Sequence, residues 1–349
     1  MKQIITSILF LLLATSADAQ SAFVRGADVS WCTEMEASGR KFYDANGQET
    51  ELFALLKQIG MNAVRLRVWV NPTGYGYGAW CDKDDVLKKA ERAHQQGLDV
   101  MIDFHYSDFF ADPERQEKPK DWSGYTTAQL KTAIADHTKE ILTALKEKGI
   151  EPKWVQVGNE TNHGFLFEKG KIDWDKKGSE RYTGYVAPSN AGYDAVKEVF
   201  PDAIVIVHLD RGHKHDLYDY NLGIVKQYGG KFDMIGMSLY PYWAMEGHPE
   251  LNADQIITDC IANIRRVSEK FGCDVMIVET GYEVDEKRPE IMEEGKRQLT
   301  RVIKEARYET GGHCRGVFYW EPQCLPGGYK LGAFNSQAAP TAIMDGFIE

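Results

Sequence analysis

The sequence predicts an α/β fold, a single-domain (β/α)8 barrel of the TIM type whose active site lies at the C-terminal ends of the strands. Three observations carry that expectation. Short apolar runs alternate with longer amphipathic ones eight times along the chain. The amphipathic runs repeatedly stop at a glycine just before the next apolar run. Polar and aromatic residues collect where the apolar runs end, while the opposite ends carry turn residues and little chemistry.

The strand candidates are Val24–Ser30, Ala63–Val70, Asp99–His105, Trp154–Gly158, Ile204–Leu209, Met234–Leu239, Val275–Val278 and Gly316–Tyr319. Each is short, rich in β-branched or aromatic residues and almost continuously apolar, as suits a parallel strand buried on both faces. Between them, Leu52, Leu55, Leu56 and Ile59 form one helical face. Leu130, Ile134, Ile141 and Leu145 form another, and Ile257, Ile261, Ile264 and Val267 a third. The left-handed conformation that closes many helices favours glycine, which accounts for Gly60, Gly97, Gly149, Gly229, Gly272 and Gly311. A short helix at Thr341–Phe347 closes the eighth unit. An open doubly wound sheet uses similar units, but no Gly-x-Gly-x-x-Gly turn follows the first strand.

The N-terminus has a different purpose. Lys2 gives a positive start, Ile4 to Leu13 is a short apolar run, and Ala17-Asp18-Ala19 fits a cleavage site before Gln20. Residues 1–19 are therefore expected to be a secretory signal peptide and 20–349 the barrel domain. A buried N-terminal helix would not explain those flanks. The mature protein is expected to be exported to the periplasm, the cell surface or the medium. No other stretch has the length of a membrane span.

Hydrophobic residues at 43% and charged residues at 27% describe an ordinary globular chain. A net charge of −11 argues against nucleic acid and anionic membrane as partners, and favours a neutral polymer over an anionic one. The six cysteines, Cys32, Cys81, Cys260, Cys273, Cys314 and Cys324, lack zinc spacing. Export permits disulfides, and Cys32 with Cys81 is the expected pair because both follow strands that should be neighbours.

The strand ends supply the candidate chemistry. In order they give Ser30-Trp31; Trp69 and Asn71 after Arg65; His105, Tyr106 and Asp108; Asn159-Glu160; His208 and Asp210; Tyr240, Tyr242 and Trp243; Glu279 and Tyr282; and Trp320-Glu321. Glu160 follows "WVQVGN" and Glu279 follows "VMIV", so each carboxyl ends an apolar strand, where desolvation penalises its charge. Two carboxyls in different surroundings can divide the labour of glycoside hydrolysis, one as protonated acid and the other as ionised nucleophile. Either glutamate alone could be a structural ion-pair partner; the pair, ringed by aromatics, points to catalysis. Sugar rings stack an apolar face on aromatic side chains, which nominates Trp69, Trp243 and Trp320. Trp154 starts a strand and Trp174 lies in a charged loop, so neither is a candidate.

No metal site is expected. "HLDRGHKHD" (His208 to Asp216) has no compact zinc spacing, and His213 and His215 read as loop residues, whereas His208 reads as a site residue. "DANGQE" (Asp44 to Glu49) lacks the oxygens of a calcium cage.

The motifs "GADVSW", "NAVRLRVWVNP", "DFHYSD", "VQVGNE", "IGMSLYPYW", "ETGY" and "FYWEP" together resemble the family 53 glycoside hydrolases, the arabinogalactan endo-β-1,4-galactanases. The resemblance runs strand by strand along the barrel domain. It implies a retaining double displacement on β-1,4-galactan, with Glu279 as nucleophile and Glu160 as acid/base. It also implies that Asn159 holds the sugar 2-hydroxyl, that Tyr240 donates to Glu279, and that Arg65 sits beneath the nucleophile. His105 and Trp320 would shape the −1 subsite, Trp320 as its floor, and Asp108, Trp69 and Trp243 would serve neighbouring subsites. The family default is a monomer without a cofactor. The loop "GYEVDEKRP" is shorter than the acidic loop with which some bacterial relatives bind calcium, so calcium is not expected. Two alternatives remain: hydrolysis of another β-1,4-glycan (mannan, xylan or glucan), and a non-catalytic polysaccharide-binding barrel.

Overall fold

In a closed barrel, alternate side chains of each strand face the axis and the others face the surrounding helices. The computed structural model, which describes residues 23–173 and 175–348, has this architecture. The predicted signal peptide and Trp174 lie outside the described residues. Eight strands close in sequence order: β1 (Val24–Asp28), β2 (Ala63–Val68), β3 (Asp99–Phe104), β4 (Trp154–Val157), β5 (Ile204–Leu209), β6 (Met234–Leu239), β7 (Asp274–Thr280) and β8 (Cys314–Trp320). All neighbouring pairs are parallel, and β1 closes the ring onto β8.

The axis-facing residues fall into two layers of opposite character. At the N-terminal end, Val24, Ala63, Met101, Trp154, Ile206, Met234, Met276, Val278 and Phe318 form an apolar plug. Gly26 belongs to this arrangement, because a Cβ there would stand 2.3 Å from the Phe318 ring. Above the plug, Asp28, Arg65, Asp103, Gln156 and His208 are fully buried. That polar layer can exist in the interior only because its members satisfy one another. The remaining apolar side chains fill the space between barrel and helices.

The helical faces lie where the periodicity places them. Leu130, Ile134, Ile141 and Leu145 are buried on helix Thr127–Glu147, and Ile257, Ile261, Ile264 and Val267 on helix Ala253–Phe271. All six glycines expected after helices have positive φ, from 64° at Gly97 to 89° at Gly60. The last helix is a 310 helix, Ala342–Phe347.

The end of β7 differs from expectation. β7 runs to Thr280 instead of stopping at Val278, so Glu279 lies within the strand. A bulge explains it: Met237 pairs with Ile277 and Ser238 with Glu279, which leaves Val278 as the extra residue. Val278 stays in the plug, and Glu279 gains a position opposite Ser238.

The expected Cys32–Cys81 bridge does not form, and all six cysteines are free. The Cys81 sulfur faces the Ser30 carbonyl at 3.7 Å and the buried Lys89 ammonium at 3.8 Å. Lys89 is held there by Asp85 at 2.6 Å and the Ser30 carbonyl at 2.8 Å. Burial pushes both thiols up, Cys32 and Cys81 alike, so neither is a ready nucleophile for exchange. Titration of the unreduced, denatured protein with Ellman's reagent is expected to count all six thiols. Two fewer would show that a disulfide forms after all.

Candidate active site

The site begins where β4 runs out. Gly158 takes φ +89°, and a side chain there would meet the Thr161 methyl at 2.7 Å. Two residues on, Glu160 has φ +47°, a region that non-glycine residues rarely occupy. Tyr106, Arg211 and Glu321, just after β3, β5 and β8, share the conformation with φ between 48° and 50°. Left-handed residues of this kind cost on the order of 1 kcal/mol or more each, and here they gather on the functional rim.

Arg65 of β2 is the hub. Its Nε donates to Gln156 Oε1 at 2.8 Å and its Nη1 to Asp28 Oδ2 at 2.8 Å. Its Nη2 lies 2.8 Å from Asn159 Oδ1, 2.8 Å from Asp103 Oδ2 and 2.9 Å from Glu279 Oε1. Tyr240 donates its hydroxyl to the other Glu279 oxygen at 3.0 Å. Glu279 therefore has a cation on one oxygen and a hydroxyl donor on the other. Among the described residues no cation forms an ion pair with Glu160; Ser238 donates to its Oε1 at 2.5 Å.

These surroundings separate the two carboxyls. Burial pushes Glu279 up to about 7, while Arg65 and Tyr240 pull the other way. Burial pushes Glu160 well above the usual carboxylate range, and the charges of Glu279 and Asp210 push it further. The proton shared by the pair thus resides on Glu160, and Glu279 is the member that ionises first. For Asp103, burial opposes the charge, but Arg65 and His105 outweigh it and hold the group at about 2. Burial and the Arg65 charge depress His208 far below its ordinary value, so its ring is neutral.

Glu160, Ser238, Tyr240, Trp243, Glu279 and Trp320 line one cleft of about 480 Å³. Trp320 packs edge-on against Trp31 and Tyr329 at 5.1 and 4.7 Å, and the 41% exposed Trp243 stands edge-on to Tyr242 at 4.8 Å. His105 lies behind the hub: its Nδ1 accepts from the Ala111 amide at 2.9 Å, and its Nε2 is 3.0 Å from Asp103.

Three residues expected to meet substrate are placed elsewhere. Trp69 is 1% exposed and enclosed by Tyr77, Phe109, Phe110 and Arg67, so it offers no open face to a sugar. Asp108 spends its two oxygens on the backbone amides of Asn71 and Lys120, each at 2.9 Å, and so staples two loops together. His208 is fully buried and touches Asn159, Gln156 and Ser238. All three follow or end apolar strands, but their side chains are consumed by neighbouring loops or the layer beneath.

Glu321, another rim carboxylate, is also structural. It is fully buried, receives the Trp31 amide, and pairs with Arg67 at 2.5 Å. The reading from sequence missed Asp28, Asp103 and Gln156, which hold the hub, although each interrupts an otherwise apolar strand. It also missed Ser238 and Tyr329; a serine in a strand and a tyrosine in a long loop give no comparable signal. "DANGQE" is a tight turn in which Asp44 accepts from the Asn46 and Gln48 amides. Among the described residues, no group of three or more His, Cys, Asp or Glu is placed to hold a metal ion.

The family model described as glycosyl hydrolase family 53 matches residues 24–342. A solved GH53 catalytic domain from Ignisphaera aggregans aligns with a TM-score of 0.81 at 29% identity, over 93% of this chain and 95% of that one. An endo-β-1,4-galactanase from Bacillus subtilis (strain 168) is 33% identical over 330 residues, 88% of this chain and 72% of that protein. An arabinogalactan endo-β-1,4-galactanase from Cellvibrio japonicus (strain Ueda107) is 32% identical over 339 residues, 91% of this chain and 85% of that protein.

The raised affinity of Glu160 for its proton has a thermodynamic consequence. Between the unfolded carboxyl value near 4.3 and the raised folded one, the native state binds more protons than the unfolded chain, so stability falls as pH rises. Glu160→Gln cannot ionise and escapes that loss. Thermal melts should therefore show the variant gaining on the parent from pH 5 to pH 8, by at most about 1.4 kcal/mol per pH unit. Parallel melting curves across that range would contradict the protonation assigned to Glu160.

Proposed function

The chain belongs to glycosyl hydrolase family 53, and on that premise we propose that it is an exported retaining endo-β-1,4-galactanase. The observation that carries the mechanism is the asymmetry of the two glutamates. Arg65 and Tyr240 prepare Glu279 as an anion, whereas Glu160 keeps a proton and has no ion-pair partner among the described residues. That is the division a double displacement needs.

In the first half-reaction, a Glu279 oxygen attacks the anomeric carbon of a β-linked galactosyl unit. Glu160 delivers its proton to the departing glycosidic oxygen, which leaves a galactosyl ester on Glu279. In the second, Glu160, now ionised, takes a proton from water as that water attacks the same carbon. The ester bond breaks and the β-configuration is restored. Arg65 steadies the carboxylate at the start and the end of this cycle.

Asn159 fits a 2-hydroxyl contact through what its amide leaves over. Its Oδ1 accepts from Arg65 and one Nδ2 hydrogen goes to the Ala111 carbonyl at 2.8 Å, so a second Nδ2 hydrogen remains. A contact there that tightens in the oxocarbenium-like transition state would contribute to rate. Trp320 supplies an aromatic platform beside the two glutamates, and Trp243 an exposed one further along the same cleft. Export rests on the N-terminal residues 1–19 alone.

Glu279→Ala and Glu160→Ala should each lower kcat/KM on linear galactan by about 10²–10⁴-fold. For Glu160→Ala the loss should shrink on a galactobioside carrying a dinitrophenyl leaving group, which departs without acid help. An equal loss on both substrates would remove Glu160 from the acid role. Proton NMR of the first-formed product should show the β-anomer; an initial α-anomer would exclude retention. In a panel of galactan, mannan, xylan and β-glucan, galactan should be degraded fastest, and preference for any other polymer would overturn the substrate assignment.

A further inference from the structure

Ser238 is 2% exposed and lies on the cleft wall, and neither half-reaction by itself requires a serine there. It sits in β6 at the bulge opposite Glu279, and its hydroxyl contacts two groups: Glu160 Oε1 at 2.5 Å and His208 Nε2 at 2.9 Å. We propose that Ser238 and His208 form a directed hydrogen-bond chain that keeps the acid proton of Glu160 on the oxygen facing the cleft. The proposal rests on Glu160 being the acid.

The direction can be traced from the hub outward. Arg65 Nε donates to Gln156 Oε1 at 2.8 Å, which fixes the orientation of that amide. The Gln156 nitrogen donates to Asp103 Oδ1 at 2.9 Å and lies 3.1 Å from His208 Nδ1. The Glu160 backbone N–H points at the same Nδ1 from 3.4 Å. Two donors therefore converge on Nδ1, which makes it the acceptor and puts the ring hydrogen on Nε2. Nε2–H then donates to Ser238 Oγ, and the serine hydrogen has Glu160 Oε1 as its acceptor.

With Oε1 accepting from Ser238, the proton of neutral Glu160 belongs on Oε2, the oxygen left for the cleft. The opposite tautomer has one supporter, Asn159 Oδ1 at 2.9 Å from Nδ1. In that case Ser238 would donate to Nε2, and the 2.5 Å contact would require the acid proton on Oε1, turned away from substrate. Only the first arrangement presents an acid to the glycosidic oxygen. No proton travels along the chain in either half-reaction; Ser238 holds one carboxyl oxygen while the other gives up and regains its proton. Ser238 and His208 are positioning residues, since both act through Glu160.

The test has a kinetic and a spectroscopic arm. Ser238→Ala should lower kcat/KM on galactan by about tenfold or more, yet by less than about threefold on the dinitrophenyl galactobioside. Ser238→Thr, which keeps the hydroxyl, should recover most of the galactan activity. Equal losses on both substrates in Ser238→Ala, or no loss on galactan, would overturn the proposal. In the unmodified protein, ¹⁵N NMR of His208 should report a neutral ring protonated at Nε2. Protonation at Nδ1 would overturn the proposal even if the variants failed to fold. If Glu160→Ala behaves as an acid variant and Ser238→Ala does not, this inference fails alone. If Glu160→Ala loses equally on both substrates, the acid assignment itself fails.

Discussion

A guanidinium with no access to water is the constraint on which this molecule depends. Arg65 is fully buried inside the barrel and has no solvent to stabilise it, so its charge must be met by partners fixed in place. Those partners arrive from different strands: Asp28 from β1, Asp103 from β3, Gln156 from β4 and Glu279 from β7. They converge only when the ring is closed and in register. Closure of the fold and assembly of the site are thus one event. The apolar plug beneath excludes water from the N-terminal side, which keeps the local dielectric low and each pairing strong.

Carboxyls outnumber guanidiniums in this interior. Arg65 and Arg67 face Asp28, Asp103, Glu279 and Glu321, with Glu160 just above. Not every carboxyl can be ionised at once at such separations, and the proton goes to the carboxyl that no guanidinium pairs with. That excess of acid groups is what makes Glu160 a proton reservoir. Arg67 has a second task. Its guanidinium lies 4.6 to 5.9 Å from the ring centroids of Trp31, Trp69, Phe110 and Trp320, and so props the platform tryptophan from below. Trp69 is one wall of that prop, which is why a tryptophan at a strand end is buried instead of facing the cleft.

The barrel was legible because its signals are local and repeated: a short apolar run, an amphipathic run, a glycine. Glu160 and Glu279 were legible as a pair because each interrupts apolar character at a strand end. What escaped was whatever depends on three-dimensional partners. Asp108 and His208 have the composition of site residues, yet one is occupied by backbone amides of neighbouring loops and the other lies under Asn159. The pairing of Cys32 with Cys81 was inferred from adjacency of strands, and adjacency says nothing about where a sulfur points. The Cys81 sulfur instead meets Lys89, which comes eight residues later on the helix Lys83–Gln95.

The stretch after β4 shows how the strained acid is kept in place. Glu160 has an unfavourable backbone conformation, and the residues that follow it in "NETNHG" hold it there. Thr161 donates its amide to the His208 carbonyl at 2.9 Å, and its hydroxyl meets the Tyr185 hydroxyl at 2.8 Å. Asn162 accepts the Asp210 amide at 2.9 Å, its side-chain amide bonds the Asp210 carboxylate, and its carbonyl receives Asn221 at 2.8 Å. None of these side chains needs to touch substrate. They tie the β4 end to the β5 end and to two helices, so that relaxing Glu160 into an ordinary conformation would break several buried hydrogen bonds at once. In the proposed double displacement, a carboxyl held this way would keep its aim while its charge changes twice in each cycle, which a flexible loop could not guarantee.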